Sequence, residues 1–106
     1  MNYTKVKFEI YLPFDFVEKL REGINRTGAL TVGKYDNCIS ITEVSGYYRP
    51  LKGSDPYLGK ANSLSIQKEA KMEFTCSKDL ALEVINVIKN IHPYEEPVYN
   101  IIPVIN

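Results

Sequence analysis

The stretch "KVKFEIYL", residues 5–12, decides the fold. Val6, Phe8, Ile10 and Leu12 alternate with Lys5, Lys7, Glu9 and Tyr11. A period of two predicts a half-buried strand with one apolar face. Pro13 stops it. The following "FDFVEKLREGINRTG" sets Phe16, Val17, Leu20 and Ile24 at helical spacing. Asp15 lies near the positive end of that helix, and Gly28 is its stop signal.

The same pattern returns 64 positions later, because Ala70, Met72, Phe74 and Cys76 fall where Val6, Phe8, Ile10 and Leu12 stood. Leu80, Val84 and Ile88 repeat Phe16, Leu20 and Ile24, and Asp79 repeats Asp15. Ser77 takes the place of Pro13 and suits a helix N-cap. The second helix, "KDLALEVINVIKNI", buries Leu80, Val84, Val87, Ile88 and Ile91 at steps of three and four. A further strand-like run follows each unit: "NCISITEV", then "PVYNIIPVI". The order is β-α-β twice. It closes most simply as an α+β, ferredoxin-like βαββαβ sandwich, a four-stranded antiparallel sheet with two helices on one face.

The uncovered face would carry Lys5, Lys7, Glu9, Tyr11, Lys71, Glu73 and Thr75. Ile39, Ile41, Tyr99 or Ile101 could add apolar area there, and a second apolar stripe would mark a subunit interface. Turn signals fill the connection before the third strand: Gly46, Arg49-Pro50, Gly53, Ser54-Asp55-Pro56 and Gly59. A connection this long often carries function. Its end, "NSLSIQKEA", can extend the third strand.

The 106 residues fit one domain, 1–106. Thirteen basic residues balance 13 acidic ones, which argues against a dedicated nucleic-acid surface. Cys38 and Cys76 make neither a disulfide framework nor a zinc pattern. No run of 18 apolar residues predicts a membrane span, and the N-terminus lacks a signal-peptide core. The expected setting is cytoplasmic.

His92, the one histidine, sits in "HPYEEP" before Glu95 and Glu96. Imidazole with carboxylate could hold a divalent ion such as zinc or copper, with Cys38, Tyr35, another loop or another subunit closing the set. Spacing alone favours a structural corner, because those closing ligands are missing. There His92 ends a helix, Pro93 blocks its continuation, and Pro97 opens the last strand. In "VGKYDNC", Lys34, Tyr35 and Cys38 edge a turn that could be a small polar pocket. In "YYRPLKGSDPYLGK", Arg49, Lys52 and Lys60 with three tyrosines could grip a phosphate or stack on a base. No Walker, dinucleotide or nucleophile-elbow motif is present.

"GKYDNC", "YYRPLKGSDPYLGK" and "HPYEEPVYNIIP" together resemble three signatures of one module. It is the PII/CutA-like domain inserted in bacterial Nif-three-like (YqfO-type) proteins, which also occurs alone. The resemblance implies the fold reached above and a homo-oligomer, a trimer by analogy with CutA and PII, with sites in clefts between subunits. It implies His92 and Glu95, with Glu96 and Cys38 beside them, as candidate divalent-metal ligands. Lys34, Tyr35, Arg49, Lys52, Lys60 and Tyr94 are the candidate small-molecule contacts. The two-metal centre of full-length Nif-three-like proteins lies in a larger flanking domain, so hydrolase or GTP cyclohydrolase activity is not expected of this chain. The leading expectation is a non-enzymatic binding or sensor domain. The alternatives are a purely structural interaction module and a small enzyme with His92 as general base.

Overall fold

The structure, a computed structural model, describes residues 2–105. Met1 and Asn106, the ends of the expected domain, lie outside the described residues. Strand β1 (Lys5–Leu12) leads through a short 3-10 turn, Phe14–Phe16, into helix α1 (Val17–Arg26). Strands β2 (Ser40–Tyr48) and β3 (Ser65–Ser77) follow. A second 3-10 turn, Lys78–Leu80, then opens helix α2 (Ala81–Ile91), and strand β4 (Val98–Val104) ends the fold. The sheet order is β2-β3-β1-β4, and every neighbouring pair is antiparallel. The expected ferredoxin-like arrangement is present.

The repeat holds in three dimensions, since Val17 opens α1 and Ala81 opens α2, 81 − 17 = 64 residues apart. The two 3-10 turns are offset by the same interval. Ser77 caps the second one, its hydroxyl accepting the Asp79 N–H at 3.3 Å. Both helices lie on one face of the sheet. There Val17, Leu20, Ile24, Val84 and Ile88 pack on Val6, Phe8, Ile10, Leu12, Ala70, Met72 and Phe74. Phe8 and Phe74 pair across the two central strands and stack at 5.1 Å.

The later strands answer the question of faces. Ile41 pairs with Met72, Tyr99 with Ile10 and Ile101 with Phe8. These three residues therefore lie on the helix side, and the open face does not gain them as an apolar stripe. Its centre is a square of charge: Lys7 meets Glu73 at 2.7 Å and Glu9 at 3.8 Å, while Lys71 meets Glu9 at 3.5 Å and Glu73 at 3.8 Å. The bond and charge of Lys7 hold the Glu73 carboxyl below its ordinary range.

The middle of the chain departs from expectation in extent. Strand β1 ends where Leu12 faces Ala70, yet β2 and β3 continue pairing to Tyr48 and Ser65. Residues 44–48 and 65–69 form a two-stranded ribbon running about 17 Å past the sheet. Gly46 lies inside this ribbon, so it is not the turn that its residue type suggested. A two-stranded ribbon is marginal alone, and its root is held by the contacts described next. Among the described residues no helix is long and apolar enough to cross a membrane.

Candidate functional site

Helix α2 ends because Pro93 follows His92. The His92 N–H still closes the last turn on the Ile88 carbonyl at 2.8 Å, while its backbone turns extended. That reversal aims the imidazole back under the sheet, where it is 7% exposed. Nε2 lies 2.5 Å from the Tyr11 carbonyl oxygen, and the Tyr94 N–H donates to Nδ1 at 3.2 Å. A carbonyl only accepts, so the proton sits on Nε2 and Nδ1 keeps its lone pair. Burial lowers the His92 pKa, opposed by the Tyr11 carbonyl and by the Glu69 charge. The ring is a neutral strut between β1 and the corner.

Tyr94 stands on that strut, its ring 4.8 Å from the imidazole. Its hydroxyl donates to Oε2 of Glu69 at 3.1 Å. Burial and the neighbouring carboxylate push the Tyr94 phenol well above its ordinary range. Glu69 is only 8% exposed although it sits on the ribbon. Gly46 makes room for it, since a Cβ at Gly46 would come within 1.7 Å of the Glu69 Oε1. An isolated glycine inside a strand often marks such a close approach.

The loop 49–64 folds back over the same corner. The Asp55 N–H donates to Oε1 of Glu95 at 2.8 Å, and the Asn62 N–H to the Pro50 carbonyl at 2.5 Å. Tyr57 lies edge-on to Phe16 at 5.7 Å and 6.3 Å from Tyr94. Ribbon, loop and corner border a half-open pocket of about 570 Å³. This falls within the range typical of small-molecule sites. Five tyrosines line it: Tyr11, Tyr47, Tyr48, Tyr57 and Tyr94. Arg49, Glu69, Glu95 and Glu96 are its charged groups. The Tyr48 hydroxyl is buried and has no hydrogen-bond partner among the described residues.

The residues singled out in the sequence separate into distinct places. Arg49, Tyr94, Glu95 and Glu96 meet in the pocket. Lys52 and Lys60 lie in the exposed turns of the loop and do not line it. His92 lies behind Tyr94 rather than in the pocket. Lys34 and Tyr35 stand exposed on the tight turn bridged by Val32 and Tyr35. That turn is pinned to α1, since the Asn37 N–H donates to Asn25 Oδ1 at 2.9 Å and Arg21 bonds the Asn37 side chain. Cys38 lines a shallow cleft with Lys7, Glu73 and Thr75. Lys7 and Tyr11 are four residues apart on β1, about 13 Å, so within one chain Cys38 is remote from the corner.

The proposed metal set of His92, Glu95, Glu96 and Cys38 is therefore not assembled in the single chain. Both imidazole nitrogens are engaged, Glu95 holds the loop, and Cys38 lies elsewhere. Among the described residues no group of three or more His, Cys, Asp and Glu side chains could hold an ion. Within the single chain these donors do not form a copper or zinc centre. The general-base role of His92 meets the same obstacle, because its one lone pair faces a backbone N–H and not the pocket. Sequence reasoning missed Glu69 and Tyr11 as lining residues. Gly46 was the available signal.

Comparison with known proteins agrees with this architecture. No family profile matches the chain. The GTP cyclohydrolase 1 type 2 homolog of Bacillus subtilis (strain 168) is 34% identical over 98 residues, 92% of this chain and 26% of that protein. The chain thus spans about a quarter of the length of the curated relatives it matches. A Bacillus cereus protein related to NIF3 superposes with a TM-score of 0.84 at 26% identity, covering 98% of this chain and 26% of that one. CutA1 from Shewanella sp. SIB1 gives 0.74 at 16% identity, covering 100% of this chain and 86% of that one. Bacillus subtilis GlnK gives 0.67 at 16%, covering 95% and 85%. The last two share the fold alone. The chain thus has the PII/CutA-like fold and matches, over nearly its whole length, about a quarter of each of these NIF3-related, YqfO-like proteins.

Proposed function

We propose that this chain is a cytoplasmic small-molecule binding or sensor domain without catalysis of its own, and that its ligand occupies the pocket at the ribbon root. The observation that carries this reading is how the pocket is made. Two of the three signature segments meet there, tied by the Asp55–Glu95 bond across 40 residues of chain, and the Tyr94–Glu69 bond fastens the later one to β3. A loop needed only to join β2 and β3 would gain little from those ties. The cyclohydrolase in the relatives' name stays with those proteins, of whose length this chain spans about a quarter.

The domain acts as a homo-oligomer, with a trimer favoured by the resemblance to CutA and PII. Tyr47 and Ile66 on the ribbon, Leu64 at the end of the loop, and Val98 and Ile102 at the sheet are exposed apolar side chains available for such contacts. The third signature, around Lys34, Tyr35 and Cys38, would join the pocket only across a contact between chains. Sedimentation equilibrium tests the assembly, and a fragment screen read by amide NMR tests the site. Fragment shifts should cluster at Tyr47, Tyr57 and Tyr94. Hits mapping only to other surfaces would overturn the site, and a monomer at all concentrations would overturn the assembly.

A further inference from the structure

We infer that the pocket takes an organic cation, an amine or quaternary ammonium carried on an apolar or aromatic body. The inference rests on the pocket being a ligand site and adds the chemistry of the ligand. Three carboxylates, Glu69, Glu95 and Glu96, face one guanidinium, Arg49, so the lining carries an excess of two negative charges. Glu69 decides the matter. It is 8% exposed, it accepts a hydrogen bond from the neutral Tyr94 hydroxyl, and among the described residues no Lys or Arg side-chain nitrogen lies within 4.0 Å of its carboxylate. A desolvated carboxylate without a cation is costly, and a positively charged ligand would relieve that cost.

The aromatic lining fits the same chemistry. Tyrosine rings attract a cation through their faces, most strongly where water is excluded. The Glu69 carboxylate and these rings would act together on one ammonium group, while the apolar parts of the loop take the body of the ligand. The anion expected from Arg49, Lys52 and Lys60 is disfavoured, because the two lysines stay outside and Glu69 would repel it. A bare divalent ion is disfavoured because Glu95 is committed to the Asp55 N–H and no three-donor group is present among the described residues.

The test compares four probes on the full ¹⁵N-labelled chain at low salt: benzyltrimethylammonium, benzyl alcohol, benzoate and adenosine diphosphate. The cation should shift the Tyr57, Glu69 and Tyr94 amides saturably, with a Kd at least tenfold below that of benzyl alcohol or benzoate. Glu69→Gln keeps the size of the side chain and its acceptor for Tyr94. It should raise the Kd for the cation at least tenfold and leave benzyl alcohol unchanged. The comparison on the wild-type chain stands even if that variant fails to fold. Tighter binding of benzoate or adenosine diphosphate at these amides would overturn the charge inference and leave the pocket standing. No saturable shift there with any probe would overturn both.

Discussion

Replacing His92 with alanine tests whether the imidazole is a structural strut. The ring is 7% exposed and makes two hydrogen bonds, to the Tyr11 carbonyl and from the Tyr94 N–H. Each such bond contributes about 1 kcal/mol net, and removing a buried side chain of this size adds about 1–2 kcal/mol for the cavity. The expected loss at pH 7.5 is about 3–4 kcal/mol, a large share of the ~5–15 kcal/mol that holds a domain together. Proton linkage gives the loss a second signature. Burial lowers the His92 pKa below its ordinary 6.5 in the folded chain. Below pH 6.5 the unfolded state therefore binds more protons than the native one, and stability falls with acid. The His92 contribution is complete above that pH and lost as pH falls through the folded value.

Alanine has no such group, so the gap between wild type and His92→Ala should narrow from pH 7.5 to pH 5. Other titrating groups largely cancel in the difference. The chain has 8 tyrosines and no tryptophan, so tyrosine fluorescence reports urea unfolding. Protein concentration is held fixed because assembly would shift the midpoint. A gap under about 1 kcal/mol at pH 7.5 would show that the ring bears no structural load. A large gap that does not change with pH would refute the lowered proton affinity of the buried ring, while leaving the packing role intact.

Gly46→Ala should destabilise the ribbon by about 1–3 kcal/mol, because its Cβ would land 1.7 Å from Glu69 Oε1. Urea midpoints and the Tyr94 amide shift check this, and an unperturbed Tyr94 amide would refute the contact. Tyr94→Phe removes the hydrogen-bond donor of a nearly buried carboxylate and should cost about 1–3 kcal/mol in the same assay. A loss below half a kcal/mol, on the order of experimental error, would mean that water already solvates Glu69. Cys76 is 6% exposed with its thiol pushed up by burial, whereas Cys38 is half-buried. Iodoacetamide on the native chain should give one adduct by mass spectrometry, at Cys38, and equal labelling of both would refute this packing.

The core was legible in the sequence because its physics is local. Alternation in "KVKFEIYL" and steps of three and four in "KDLALEVINVIKNI" report directly which face is buried. The ribbon was less legible. Among the described residues β1 stops pairing with β3 at Ala70, so Lys68 faces water, Gln67 does so in part, and alternation fades. Ile101 and Ile102 are adjacent and point to opposite faces, so pattern alone could not say which joins the core. The site depended on distant partners: His92 needs Tyr11, 81 residues away, and Tyr94 needs Glu69, 25 residues away. Counting cations in the loop suggested an anion, but which charges line a pocket is a matter of folding. Lys52 and Lys60 turned outward while Glu69 turned in.

The repeat itself shows where the two halves diverge. An offset of 64 residues, 92 − 28, places His92 on Gly28. Up to that position the halves match in strand, 3-10 turn and helix. In the first half, α1 stops at Gly28, whose φ of +87° belongs to the left-handed region that glycine tolerates best. Ala29 and Leu30 then dive into the core and are essentially fully buried. That exit is closed by hydrocarbon. In the second half the same position is a polar ring, and Pro93 biases His92, the residue before it, toward extended backbone, which it adopts. The chain leaves extended, and the plug becomes an imidazole bonded to backbone on both sides. Tyr94 is thereby lifted toward the ribbon instead of sinking into the core. The two halves could share one core sequence pattern because helix and strand need only the correct face. They needed different stops because only one of them had to build a wall for the pocket.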